Sequence, residues 1–402
     1  MLGWELPPYN SGGLGVACYY LCQAMAERNI EIDFIVPYLE NHGVDFMKVV
    51  SAMPVSSEIT RRAGGIYDSR KWTEEMPIDA DVMPGNLHQQ RAHLTAFTKH
   101  YVTRNKVDVI HAHEWLTFEA GVAAKKLTGK PLIAHVHATE FDRSGELYGN
   151  PLVHEIEETA LSVADRIIAV SQLTKDLIAK HYGIPAEKIE VIHNGLTPAQ
   201  LHATGDAASY QYLRAMKHLG YKVVVNVGRL TAQKGLRYLL EAAALVVEKN
   251  PKTLFLLVGS GEIRDELITR SAELGIAENI IFTGFLRGTA WRDAFAIGDL
   301  FVMPSVSEPF GLTALESLAL GTPVLLSRTC GVAEVARNTL KVNFWDTRAM
   351  ADNILMVLDE PALHHELLVN GQHDIAGMAW LQAAERCAEI YETSARMRGV
   401  MV

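Results

Sequence analysis

Nine short runs rich in β-branched residues punctuate the chain: "IDFIVPY", "VDVIHAHEW", "PLIAHVHAT", "RIIAVSQ", "KVVVNVGRL", "TLFLLVGSG", "IIFTGF", "LFVMPS" and "PVLLS". Each is followed by a turn and an amphipathic stretch. Continuous apolar strands that alternate with helices are buried on both faces, which restricts the chain to parallel sheets in a doubly wound α/β architecture. At 402 residues the chain exceeds one ordinary core and suits two domains of roughly 200 residues each. A strand ends at Asn194-Gly195, and a polar, Pro-containing passage near 196–218 leads to a fresh strand, so the linker is placed there. The segment 40–84 has weak periodicity and many turn formers, and is expected to be an irregular insertion in the first domain.

Composition narrows the function classes. Hydrophobic residues make up 49% and charged residues 21%, which fits a soluble globular protein rather than a disordered one. A formal charge of −10 argues against broad nucleic-acid binding, and clusters such as Lys125-Lys126 read as solvated helix faces. Cys18, Cys22, Cys330 and Cys387 form neither a CxxC pair nor a framework spacing, so reduced thiols, a cytoplasmic location and no structural metal are expected. Met1 to Pro8 lack a basic region and a long apolar run, so no secretory signal is expected. No apolar run approaches the ~20 residues that span a bilayer.

In doubly wound sheets ligands bind beyond the carboxyl ends of the strands, which directs attention to the residues just after each run. Gly12, Gly13 and Gly15 lie between "MLGWEL" and a helix expected to begin near Gly15, where glycines let amides approach an anion; a tight turn needing small residues is the plainer account. Arg229 and Lys234 of "VGRLTAQKG" follow an apolar strand and could neutralise a pyrophosphate, or could be loop cations in solvent. "VGSGE", Gly259 to Glu262, repeats the strand-then-glycine pattern and is expected to shape the same crevice wall. In "SEPFGLTALE" two carboxylates, Glu308 and Glu316, stand eight positions apart around the start of a helix closed by Gly321. They could grip hydroxyls at opposite ends of an extended ligand, with the amides of Phe310, Gly311 and Leu312 facing oxygens between them. Alternatively Glu308 favours the helix dipole and Glu316 is a surface acid. His111 and His135 read on their own as satisfied core histidines, whereas His137 is open to either reading.

"NSGGLG", "HAHEW", "VHATEFDRSG", "VIHNG", "VGRLTAQKG", "VGSGE" and "SEPFGLTALE", in this order along nearly the whole chain, resemble the family 4 retaining glycosyltransferases, the last segment matching their E-x7-E signature. The resemblance implies the GT-B fold: two Rossmann-like domains facing a cleft, residues 1–197 on the acceptor side and 198–378 on the donor side, with a helix over 379–402 crossing back to the first domain. It implies that Glu308 contacts the donor sugar and Glu316 the ribose, while Arg229, Lys234 and the Gly13 loop bind the diphosphate. His137 corresponds to the histidine the family places beside the sugar, and His113, Glu140 and Asp142 are acceptor-side candidates. The final helix around Trp380, Cys387 and Tyr391 is similar to the family's returning segment. Two departures stand out. Met1-Leu2-Gly3 begins almost inside the first strand, so that strand is expected to be short, and "NTLKVNFWD" after the Cys330–Glu334 turn lacks the family's glycine-rich ending.

The implied reaction is hexosyl transfer with retention, from a nucleotide-diphosphate sugar to a saccharide hydroxyl. Arg229, Lys234 and helix amides would stabilise the departing diphosphate without a metal or other cofactor. "NSGGLG" and "HAHEW" resemble the glycogen and starch synthase branch, which suggests a glucosyl donor and a glucan acceptor. Rival readings are a disaccharide phosphorylase of the same fold, a nucleotide-sugar epimerase, a non-catalytic sugar-nucleotide sensor, and a dinucleotide oxidoreductase. The oxidoreductase is disfavoured because no strand-borne G-x-G-x-x-G is followed by an acid about 20 residues on.

Overall fold

The computed structural model describes residues 1–8, 12–38, 42–52, 86–145, 149–197 and 208–397. The chain divides into two units, Met1–Gly195 with Ala379–Val402, and Leu196–Met378.

In the first unit, helix α1 (Gly13–Ala26) precedes β1 (Asp33–Val36) and β2 (Lys48–Ser51), and α2 (Leu87–Arg104) leads into β3 (Ile110–His113). Helix α3 (Trp115–Thr128), β4 (Leu132–Val136), α4 (Glu140–Ser144), α5 (Pro151–Val163), β5 (Arg166–Ala169), α6 (Gln172–Tyr182) and β6 (Ile189–Val191) follow. All strand pairings are parallel. The opening segment is shorter than a strand but bridges two: Leu2 pairs with Ile35 of β1 and with Ala112 of β3, through backbone bonds such as Leu2 N–H to His111 O at 2.8 Å and Gly3 N–H to Ile35 O at 3.0 Å. The resulting order, β2-β1-Leu2-β3-β4-β5-β6, reverses direction between the opening segment and β3. That reversal is the topological switch point at which this architecture leaves a crevice. β2 falls inside the segment read from sequence as irregular, so 48–51 is corrected to an edge strand; residues 40, 41 and 53–84 of that segment lie outside the described residues. α14 (Trp380–Met397) belongs to this unit and packs against α1.

The second unit opens with α7 (Gln211–His218), which lies inside the passage read as linker. It continues through β7 (Lys222–Val227), α8 (Leu236–Lys249), β8 (Thr253–Val258), α9 (Arg264–Glu273), β9 (Ile280–Gly284), α10 (Gly288–Ala296) and β10 (Leu300–Met303). Then come α11 (Leu312–Ala319), β11 (Val324–Ser327), β12 (Leu340–Val342), α12 (Thr347–Asp359) and α13 (Pro361–Ile375). The sheet order is β12-β11-β10-β7-β8-β9, again parallel throughout. Alternation along each strand divides the core. Val224, Phe255, Leu257, Leu300 and Val302 face α8, α9 and α12, while Phe301 on the other face meets Phe295 of α10 with ring centroids 5.6 Å apart. The order reverses between β7 and β10, so the loops after these two strands flank the second switch point. Asn226 Nδ2 donates to Val302 O at 2.9 Å, tying the two strands just beyond their last paired residues, Val225 and Phe301.

Candidate functional site

The loop after β7 turns through Gly228 and Arg229 into a single 3₁₀ turn, Ala232–Lys234. The loop after β10 carries Pro304 to Gly311 into α11. The two meet at the switch point: Lys234 Nζ donates to Glu308 Oε2 at 2.5 Å, Ser305 Oγ donates to the same oxygen at 3.1 Å, and Val306 N–H donates to Gln233 O at 2.9 Å. Glu308 sits before the helix rather than in its first turn, and its carboxylate is engaged by Lys234 and Ser305. Its backbone is fixed from the other side by the turn after β11, with Glu308 N–H donating to Thr329 O at 3.0 Å and Gly331 N–H to Glu308 O at 2.9 Å. The Cys330–Glu334 turn is a 3₁₀ helix over Gly331–Glu334 capped by Cys330, and it props the Glu308 loop. Arg229 reaches Gln233 Oε1 at 3.5 Å.

Gly311 caps α11 with φ +112°, a left-handed conformation that side chains rarely adopt, and an added Cβ would stand 3.0 Å from Met303 Sδ and 3.3 Å from Glu308 Cγ. Beyond it, the first-turn amides of Leu312 and Thr313 lack intrahelical acceptors and make the positive end of the helix. Phe310 is buried behind the loop. Glu316, in the second turn, is half-buried. No hydrogen bond or ion pair reaches its carboxyl among the described residues, and desolvation pushes that carboxyl up to about 8.

A pH dependence follows. Between the ordinary value of 4.5 and about 8 the native chain holds a proton on Glu316 that the unfolded chain has released, so stability from this group is greatest below the window and falls as pH rises through it. Glu316→Gln should therefore gain stability relative to the parent from about pH 5 to about pH 8 in calorimetric melts. Parallel profiles for the two proteins would contradict the assignment.

"VGSGE" acts through its backbone. Gly259 has φ +143°, and a methyl group there would overlap the carbonyl oxygen of Gly228. Gly259→Ala should push the Arg229 loop away at a stability loss of about 1–3 kcal/mol, as read by melting. Unchanged stability would show that this contact does not position the loop.

The first unit holds a second constellation at the ends of β3 and β4. His111 and His113 alternate with Ala112 onto one face, and His135 does so on the neighbouring strand, with His113 and His135 in register. His113 Nδ1 lies 3.1 Å from His137 Nε2, and His111 Nε2 lies 3.2 Å from His135 Nδ1. Burial holds all four imidazoles neutral, with His137 down to about 3 and the others well below the ordinary 6.5. His111 has a partner on each nitrogen, Tyr391 and His135, as a satisfied core histidine should; the reading of His135 as satisfied needs correction, because its buried Nε2, like that of His113, has no partner among the described residues.

Glu114, immediately after β3, has φ +69°, a region costing a non-glycine residue about 1–3 kcal/mol. The conformation turns its carboxylate back under the β4 loop, where Oε1 accepts from His137 N–H at 2.6 Å and Ala138 N–H at 2.8 Å. Its other oxygen accepts from Arg143 Nη1 at 3.0 Å. Arg143 also donates to Glu140 Oε2 at 3.0 Å and pairs with Glu157, which in turn accepts from Tyr182. Burial pushes Glu114 up to about 7 against the pull of Arg143, and raises Glu157 likewise. Burial opposes charge on Arg143 too, but Glu157, Glu114 and Glu140 together hold it charged above its usual range.

Two acceptor-side candidates are committed to the protein's own structure. Asp142 closes a capping box at the start of α4, accepting from Thr139 N–H at 2.8 Å, and Glu140 accepts from Arg143 and from Asn150 N–H at 2.8 Å. His113 is fully buried. Gly13 opens α1, while Tyr9, Asn10 and Ser11 of its loop lie outside the described residues. Sequence reading passed over Ser305, Gln233, Arg143 and Glu157. Only Arg143 carried a signal, three residues after Glu140 and on the same side of a short helix.

A parallel doubly wound α/β unit with a cation–carboxylate pair at its switch point has a ligand crevice there, and comparison says what kind of protein carries it. Residues 11–200 match the family described as Glycosyltransferase Family 4 and residues 215–374 the family described as Glycosyl transferases group 1. An uncharacterised glycosyltransferase of Methanocaldococcus jannaschii is 27% identical, covering 99% of each chain. The glycogen synthase of Mycobacterium tuberculosis is 28% identical over 98% of this chain and 94% of its own. The structure of Anabaena Alr3699/HepE in complex with UDP and glucose superposes with a TM-score of 0.72 at 19% identity, covering 98% of each chain. The chain belongs to the family 4, group 1 glycosyltransferases and has their GT-B fold. It is a glycosyltransferase; neither named relative is a phosphorylase or an epimerase. No helix of the described residues is long and apolar enough to cross a membrane.

Proposed function

We propose that the chain transfers a glucosyl unit, with retention, from a nucleoside-diphosphate glucose to a hydroxyl of a saccharide, a glucan foremost, and that no metal takes part in the chemical step. The single observation carrying this reading is the Lys234–Glu308 pair held beside the positive end of α11. Lys234 has three donors, so it can keep Glu308 while donating to a phosphate oxygen. Arg229 supplies a second cation, and the α11 amides a third source of positive potential. Charge that develops on the departing diphosphate meets these groups already in place, and such preorganised donors contribute about 3–4 kcal/mol each when removed singly. Glu308 accepts from hydroxyls of the sugar and Glu316 from those of the ribose. The acceptor hydroxyl attacks the anomeric carbon on the leaving-group side, and a diphosphate oxygen takes its proton, so that no protein carboxylate need form a covalent bond.

His137 is proposed to hydrogen-bond the transferred sugar as a neutral imidazole, its backbone fixed by Glu114. A cytoplasmic site of action is part of the proposal, supported by four free and buried cysteines. The named relatives support glucosyl chemistry: one is a glycogen synthase and the structural neighbour was solved with UDP and glucose. Thermal melts against UDP-, ADP- and GDP-glucose provide the test. The matching donor at 100 times its Kd should stabilise the chain by about 2.7 kcal/mol, and incubation with a glucan should release the nucleoside diphosphate. The absence of a shift with every donor would remove the proposal, and phosphate-dependent sugar release would replace it with phosphorolysis.

A further inference from the structure

Each of the four imidazoles at the ends of β3 and β4 is neutral, so each ring carries one proton and presents one donor nitrogen and one acceptor nitrogen. Which nitrogen holds the proton decides what His137 offers a ligand. The rings form two hydrogen-bonded chains, and the fixed end of one sets its direction. Met25 Sδ can only accept, and the Tyr391 hydroxyl donates to it at 3.8 Å, which leaves the Tyr391 oxygen to accept from His111 Nδ1. A proton on Nδ1 makes His111 Nε2 an acceptor, so His135 donates to it from Nδ1 across 3.2 Å. The unmatched Nε2 of His135 is therefore a bare lone pair.

His113 and His137 repeat the arrangement. His113 Nδ1 lies 3.1 Å from His137 Nε2, and His113 Nε2 is again a buried atom with no partner among the described residues. If His113 donates, that orphan is a lone pair, as in His135; if His137 donates, it is an N–H without an acceptor, the defect that folded proteins avoid more strictly. We propose that His113 is a positioning residue that donates from Nδ1 to His137 Nε2, fixes His137 as the Nδ1–H tautomer, and so makes that ring a hydrogen-bond donor to a hydroxyl oxygen of the transferred sugar. This assignment rests on the sugar contact proposed above for His137, which is half-buried and has only Nδ1 left for a ligand once Nε2 is taken. His113 thereby acts on the reaction from a fully buried position. Two neighbours then hold His137: Glu114 accepts from its backbone N–H at 2.6 Å, and His113 orients its ring. A ring so protonated has no free lone pair for an incoming hydroxyl, which agrees with a diphosphate oxygen taking that proton.

The test reads the tautomers directly in the full, ligand-free chain, labelled with nitrogen-15 histidine, by long-range proton–nitrogen correlation spectra assigned through His113→Asn, His135→Gln and His137→Ala. The expected spectra show Nδ1 protonated in both His113 and His137. His113→Leu, checked for folding by circular dichroism, should let His137 populate both tautomers and lower kcat/KM by about ten-fold, the scale of one hydrogen bond, with whichever of UDP-, ADP- and GDP-glucose shifts the melt most. Its affinity for the bare nucleoside diphosphate should stay unchanged, and His113→Asn, whose amide can donate from near the place of Nδ1, should restore most of the turnover. Protonation of His113 or His137 at Nε2 in the parent would overturn the proposal, and so would a folded His113→Leu chain that turns over like the parent. His137→Ala separates this from the contact beneath it: unchanged turnover in that variant would remove the sugar contact itself, whereas a fall together with Nε2 protonation in the parent would keep the contact and overturn the tautomer.

Discussion

Arg143→Ala is expected to destabilise the first unit by about 3–5 kcal/mol at neutral pH, because it leaves buried carboxylates without their countercharge. Glu114, Glu140 and Glu157 all pair with this one guanidinium, and each is nearly inaccessible. The deficit should shrink as pH falls, since Glu114, already near 7 with its partner present, and Glu157 can then take up protons instead of remaining charged. Denaturant melts of parent and variant across that pH range check both the magnitude and the trend. A loss below about 1 kcal/mol, the level of an exposed ion pair, would mean that the cluster is solvated and does not hold the His137 loop. Activity should fall with stability, because Glu114 can no longer be kept charged beneath the amides of His137 and Ala138.

The second large effect concerns turnover. Lys234→Ala should lower kcat by roughly 100-fold or more, by analogy with loss of one preorganised oxyanion donor, while the fold survives because Lys234 and Glu308 lie at a partly open loop junction. Glu308→Gln should also lower kcat strongly yet leave nucleotide affinity nearly intact, since its carboxylate is assigned to the sugar and not to the diphosphate. The two variants therefore separate in isothermal titration with the bare nucleoside diphosphate: Lys234→Ala weakens binding and Glu308→Gln does not. Equal losses of affinity would merge the two roles and refute the assignment.

How much of this was readable in advance differs from element to element. β1, β3, β4, β5, β7, β8, β10 and β11 were visible because each is a short, almost wholly buried stretch rich in β-branched residues, a pattern that survives without knowledge of any partner; β9, an edge strand that is largely half-exposed, was visible from its apolar Ile280-Ile281-Phe282. β2 and β12 were not, since edge strands of four and three residues carry half-exposed residues and too short a period to register. Lys234 and Glu308 could be named singly, as residues beyond strand ends, but sequence could not say that they pair across 74 positions. Asp142 illustrates a signal passed over. Its place three residues after Thr139 is a helix-start signature, and the resemblance drew it toward the acceptor instead. Glu114 and the histidine array depend on register between two strands, which no spacing in one strand reveals.

The central claim is that the second unit holds a nucleoside diphosphate on Arg229 and Lys234, with Glu308 at the sugar and Glu316 at the ribose. A crystal structure of the chain soaked with UDP-glucose tests it most directly. The expected map shows the diphosphate against the Lys234 ammonium and the first-turn amides of α11, with ribose hydroxyls within hydrogen-bonding distance of Glu316. Donor density away from the β7–β10 switch point, or a diphosphate that leaves Lys234 and Arg229 untouched, would contradict it.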